Sequence, residues 1–158
     1  MRLTVAIFVA CCAFLIALWQ GESGRSPLDT GFLLLGLSAS LAVALLAPLK
    51  IGKRLALAIA FLSAYGASYG AGAASFSAAF DECLRNGEEV RSRLGKFHER
   101  NGAYPEGLEQ FPGATPCPLI TRATLLRYQR SGSGYFLRFG DWLVEHEATE
   151  SESFSAEK

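Results

Sequence analysis

Residues 55–102 read LALAIAFLSAYGASYGAGAASFSAAFDECLRNGEEVRSRLGKFHERNG, and the fold turns on where this stretch changes character. From Leu55 to Phe80 there is no charged side chain, a run of 26 residues. A bilayer needs only about 20. The end of the run is rich in Ala, Ser and Gly rather than Leu, so its last turns are expected to emerge into water. From Phe80 the pattern becomes amphipathic, with Leu84, Val90, Leu94 and Phe97 at roughly helical spacing. Gly87 and Gly95 weaken a helix there without breaking it. The apolar helix is therefore expected to run on into the amphipathic one. Asn101–Gly102 is the natural stop, because Gly accepts the left-handed conformation beyond a C-cap.

Two further uncharged runs precede this stretch. Leu3 to Trp19 reads LTVAIFVACCAFLIALW, and residues 31–49 read GFLLLGLSASLAVALLAPL. A small domain has no room to bury three helices that are apolar all round, which disfavours the alternative of buried helices in a soluble protein. The expectation is a three-helix transmembrane region over residues 1–80. A cleaved signal peptide is the alternative for the first run, but no small-x-small site precedes Gln20. The FVAC stretch before Cys11 faintly suggests a lipoprotein box, but the apolar run ahead of it is too short.

Charge divides the chain in the same place. Residues 1–80 carry five basic and two acidic side chains, and residues 81–158 carry ten and thirteen. No run or face is strongly basic, which argues against nucleic acid as a partner. Lys50, Lys53 and Arg54 lie between the second and third runs, and Arg2 precedes the first. The positive-inside rule puts both in the cytoplasm, so a multi-pass protein with three crossings places its C-terminal domain outside. In a bacterium that means an inner-membrane protein with a periplasmic domain. Gly36, Ser40 and Ala44, and again Gly66, Gly70 and Ala74, recur every four residues. Such stripes let helices approach closely, within this bundle or against another subunit. No Asp, Glu, Lys, Arg or His lies inside the three runs, which counts against a pump or transporter acting alone.

Residues 81–146 read as a small α+β domain, with the amphipathic helix packed on a short antiparallel sheet. After Tyr104-Pro105, the EGLEQF segment is expected to pack Leu108 and Phe111. Pro112 to Pro118 reads as loop. Thr124 to Tyr128, Gly134 to Phe139 and Trp142 to Glu145 read as strands, the first with a helical turn as its alternative, and Gln129 to Gly134 reads as a turn. Residues 147–158 are acidic without apolar pattern and read as a flexible tail, with Phe154 as an anchor.

The stretch VRSRLGKFHERNGAYPEGLEQF, followed by GYFLRF, resembles the globular part of type IV pilins and type II secretion pseudopilins. The resemblance covers residues 81–145. It implies that Asn101-Gly102 ends the helix and that Tyr104, Pro105 and Leu108 pin the next segment against it. No prepilin peptidase site precedes any helix here. The resemblance thus implies a local fold and an extracytoplasmic location, not filament assembly.

Cys11 and Cys12 fall in the first apolar run and read as apolar fillers. Cys83 and Cys117 fall in the outer domain, where a disulfide is the leading reading and two free thiols the alternative. A bond there would close a loop of about 34 residues and contribute roughly 3–4 kcal/mol. The only histidines, His98 and His146, match no zinc spacing with these cysteines. Glu88-Glu89 and Glu145-Glu147 read as solvated faces. Tyr135, Phe136, Phe139 and Trp142 read as strand core, with one or two facing a partner. The sequence therefore offers no catalytic, cofactor-binding or metal site and no evident small-molecule substrate. The expectation is a non-enzymatic accessory subunit whose partners are the lipid bilayer and the subunits of a membrane complex. Alternatives are a secretion- or pilus-associated component and a small membrane enzyme or transporter.

Overall fold

The computed structural model describes residues 2–24, 31, 34, 36–38, 41, 42, 50–110, 116–141 and 143–157. The chain divides into two compact units, Met1–Ala74 and Ser75–Lys158.

In the first unit, helix α1 (Arg2–Gly21) packs beside the start of helix α2 (Ile51–Asn101). The Phe14 ring lies 6.2 Å from that of Phe61, and the Tyr65 hydroxyl donates to Gln20 Oε1 at 2.9 Å. Gly21 abuts the backbone of Tyr69 and Ala73. These contacts advance in step along both helices, so the two run parallel. A Cβ on Gly21 would overlap the Tyr69 carbonyl, and one on Gly72 would overlap the Leu18 carbonyl. Only glycine permits this crossing, the geometry small residues provide between apolar helices. Gly66 and Gly70, singled out by their spacing, are exposed and face open space instead.

Three membrane-crossing helices are not what forms. Among the described residues, α2 alone is long and apolar enough to cross a bilayer. The third apolar run is not a separate element but the first half of α2, which continues to Asn101. The first run folds as α1, whose last turn buries Gln20 and leads into buried Glu22. That end packs on α2 through glycine and amide contacts rather than presenting an apolar surface all round. The second run falls largely outside the described residues; residues 31, 34, 36–38, 41 and 42 within it are helical. An apolar run has the same composition whether it meets lipid or a neighbouring helix, so counting runs overcounts spans.

In the second unit, Ala79, Cys83, Val90 and Leu94 form one buried face of α2. Asn101 Nδ2 donates to the Phe97 carbonyl and the helix ends at Gly102, with φ +72°. A 3₁₀ turn (Leu108–Gln110) follows, and Leu108 packs against the core, while Phe111 lies outside the described residues. Four strands then form an antiparallel sheet in sequence order: β1 (Arg127–Ser131), β2 (Gly134–Gly140), β3 (Glu145–Thr149) and β4 (Ser155–Glu157). Tyr135, Leu137 and Phe139 alternate along β2 and are buried. Phe139 meets Phe80 edge-on at 5.5 Å, and Tyr135 meets Tyr104 edge-on at 4.8 Å. Strand β2 therefore runs against the direction of α2.

The strand boundaries differ from the sequence reading. The first strand begins at Arg127 rather than Thr124, and the turn narrows to Gly132–Ser133, with Gly132 at φ +56°. Trp142 lies outside the described residues, and the next strand starts at Glu145. The acidic segment from Glu147 is not a free tail. Glu147–Thr149 complete β3, and Ser155–Glu157 pair with Glu145–Glu147. Backbone ladder bonds need no apolar pattern, so polar strands pass unseen in sequence. Phe154 anchors this end, edge-on to Phe139 at 5.2 Å and over Gly87, where a Cβ would strike its ring.

Candidate functional site: a polar cleft and a stapled loop

The C-terminal unit carries a cleft of about 310 Å³. Helix α2 supplies Glu88, Arg91, Ser92 and Gly95, spaced to fall on one face. Tyr104 arrives from the corner after the helix, Tyr135 from β2 and Glu150 from the end of β3. Gly95 leaves room because no side chain fills that point of the wall, and a Cβ there would meet nothing.

Arg91 is the fixed point of the cleft. Its Nε donates to the Thr149 carbonyl at 3.0 Å, and its Nη1 donates to Glu88 Oε2 at 2.6 Å. Burial works against its charge, but the hydrogen bond and charge of Glu88 outweigh that and hold its pKa above the ordinary value. Glu150 Oε2 accepts from the Tyr135 amide at 3.4 Å. Burial pushes the Tyr135 phenol up, partly offset by the Arg91 charge beside it. Burial likewise raises Tyr128, whose hydroxyl donates to the Pro105 carbonyl at 2.7 Å. A guanidinium braced between a carbonyl and a carboxylate, with phenols and a second carboxylate around it, suits ion pairing and hydrogen bonding with a polar group. Ser92 has no base placed against it among the described contacts.

The disulfide between Cys83 and Cys117 is formed, with Cα atoms 5.5 Å apart across 34 residues of sequence. Cys117 sits at φ +52°, a costly conformation for a side-chain-bearing residue. The bond, the Glu82 carboxylate accepting from the Cys117 amide, and the Leu125 amide donating to the Cys117 carbonyl together hold it there. Cys11 is exposed and Cys12 half-buried, both as free thiols.

The other residues considered from sequence scatter. His98 stacks on Tyr104 at 4.4 Å, and His146 stacks on Phe139 at 4.8 Å, so both act as aromatic packing. Among the described residues no three His, Cys, Asp or Glu side chains converge as metal ligands would. Glu88 pairs with Arg91, Glu89 with Arg93 and Glu147 with Arg138. Tyr135 and Phe139 are core, whereas Phe136 is half-buried under the Arg138 guanidinium, 5.2 Å from its ring. Sequence reasoning missed Arg91, Tyr104 and Glu150 as a group. Arg91 is signalled only by its helical spacing from Glu88, Tyr104 only by the corner after the helix, and Glu150 lies in a segment with no apolar pattern. No protein-family model, curated protein or solved structure matches this chain.

Proposed function

We propose that this protein is a non-enzymatic accessory or structural subunit of a bacterial inner-membrane complex. Helix α2 anchors it, and that helix together with the C-terminal domain contacts the partners. One observation carries the reading: the first half of α2 is apolar and exposed. Ile51, Leu55, Ile59 and Leu62 all face outward along it. A contiguous apolar surface of this kind is unstable in water and marks a lipid or protein interface. Lys50, Lys53 and Arg54 at its start favour a cytoplasmic location for that end. The disulfide favours an oxidising compartment, the periplasm, for the other. The exposed stripe of Gly66, Gly70 and Ala74 supplies a face on which a partner helix can pack closely.

The test is crosslinking in intact membranes, extraction in mild detergent and mass spectrometry of what co-purifies. The reading expects a stoichiometric membrane complex, lost in a Gly66→Leu/Gly70→Leu variant that remains folded. Recovery of the native protein alone and monodisperse would sink it. A secretion- or pilus-associated role is the second reading. It is favoured by the fusion of an apolar and an amphipathic helix into one 51-residue element that ends at the NGAYP corner.

A further inference from the structure

We propose that the cleft of the C-terminal domain takes the side chain of a lysine or arginine from a partner protein, with Glu150 as its counter-ion. This rests on the accessory-subunit reading and deepens it by naming what the domain recognises. All the residues involved lie within the C-terminal unit.

The charges that line the cleft decide the sign of its occupant. They are Glu88, Arg91 and Glu150. Arg91 and Glu88 cancel, being paired at 2.6 Å. Each is also committed elsewhere. Arg91 Nε donates to the Thr149 carbonyl, and Glu88 Oε1 accepts from the Phe154 amide at 3.2 Å. Glu150 is left over. Among the described residues no cation stands within ion-pairing distance of it. The hydrogen bond it accepts from the Tyr135 amide is long, at 3.4 Å. The cleft therefore carries a net negative charge, which repels an anion and attracts a cation.

Glu150 is held where that charge is useful. Its carboxylate lies against Gly134, the first residue of β2, and a Cβ there would overlap both of its oxygens. The glycine thus lets the acid lie beside Tyr135 at the cleft wall. The rest of the wall suits an apolar stem. Tyr104 is half-buried and meets buried Tyr135 edge-on at 4.8 Å. On α2, Gly95 leaves its part of the wall open, since a Cβ there would meet nothing. Lysine and arginine carry their charge on a run of methylenes that packs on apolar surface while the head finds a polar group. At about 310 Å³ the cleft is at the bottom of the range for small-molecule pockets, roughly 300–1,000 Å³. One long side chain fits that space.

The test is a nuclear magnetic resonance titration of the full chain in an uncharged maltoside detergent, with isotope-labelled tyrosine rings. The probes are capped tripeptides with lysine, arginine, glutamate or norleucine between two glycines, and putrescine. The lysine and arginine peptides are expected to shift the Tyr104 and Tyr135 rings saturably and to leave Tyr65 and Tyr69 unmoved. The glutamate and norleucine peptides should shift none. Glu150→Gln should weaken binding about tenfold or more, as loss of a hydrogen-bonded charge does. Gly95→Leu, which favours the helix and fills the open wall, should abolish it. Glu89→Gln, an exposed acid of α2 outside the cleft, should change nothing. Shifts by the glutamate peptide instead would overturn the proposal in favour of an anion site on Arg91. Tighter binding of putrescine than of the lysine peptide would replace the partner protein with a free amine. Binding unchanged in Glu150→Gln or Gly95→Leu would put the peptide outside the cleft, and no shift with any probe would end the proposal. Each of these results leaves co-purification of a membrane complex, which tests the accessory-subunit reading, to be decided separately.

Discussion

The two halves of α2 obey different rules within one hydrogen-bonded element. In the first half the outward side chains are Ile51, Leu55, Ile59 and Leu62, and the tightest contacts to α1 are made at glycines. In the second half the exposed face carries charged side chains, such as Arg93 on Glu89 at 2.6 Å, and the inward ones pack a sheet. Backbone bonding is satisfied identically in both. The difference lies in the surface each half presents. One has an apolar exterior and small-residue contacts, and the other a polar exterior and large-residue contacts.

That contrast is open to experiment. Reducing the Cys83–Cys117 bond is expected to cost the C-terminal domain roughly 3–4 kcal/mol and to leave helicity in the apolar half intact. Near- and far-ultraviolet circular dichroism in detergent separates the two, and equal losses would mean the halves unfold as one. Ile59→Arg strikes the other half. A charge at the centre of a span costs about 2.5–3.5 kcal/mol, so carbonate extraction should release the variant from membranes while its disulfide still forms. Phe154→Ala removes a half-buried ring from Phe139 and Gly87, at about 1–2 kcal/mol. The thermal midpoint of the C-terminal domain should fall by several degrees. The smallest effect is alkaline. Burial raises the Tyr128 and Tyr135 phenols above their ordinary value. Their contribution is therefore whole below the unfolded phenol pKa of about 10 and lost as pH rises through the folded values. Phenolate absorbance at 295 nm should show these two titrating late, together with loss of the domain's fold and not of the apolar helix.

Several elements are legible in the sequence because local chemistry dictates them. GYFLRFG alternates as a half-buried strand must, Asn101–Gly102 supplies the helix stop, and Cys83 with Cys117 supplies the bond. Strands β3 and β4 are not legible. EHEAT and SAE offer no apolar alternation, and they are held by ladder bonds and by the Arg138–Glu147 pair at 2.5 Å. The cleft is hidden for the same reason, since it needs Glu150 brought beside Arg91 from a segment that reads as tail. The count of membrane spans fails on a different point. Composition records that a run avoids water but not what replaces it. Gln20 and Gly21 show α1 meeting a neighbouring helix at its end.

The sheet order has a consequence in time. Each strand pairs with its neighbour in sequence, so hairpins can zip locally, in microseconds. Phe154 is different, because its amide reaches back to Glu88, 66 residues upstream, at 3.2 Å. The stretch around Phe154 is thus the one that shuts the core over Phe139. Until it arrives, the domain is a set of paired strands with an open apolar face. Folding of the domain is therefore complete only when this one long-range closure is made.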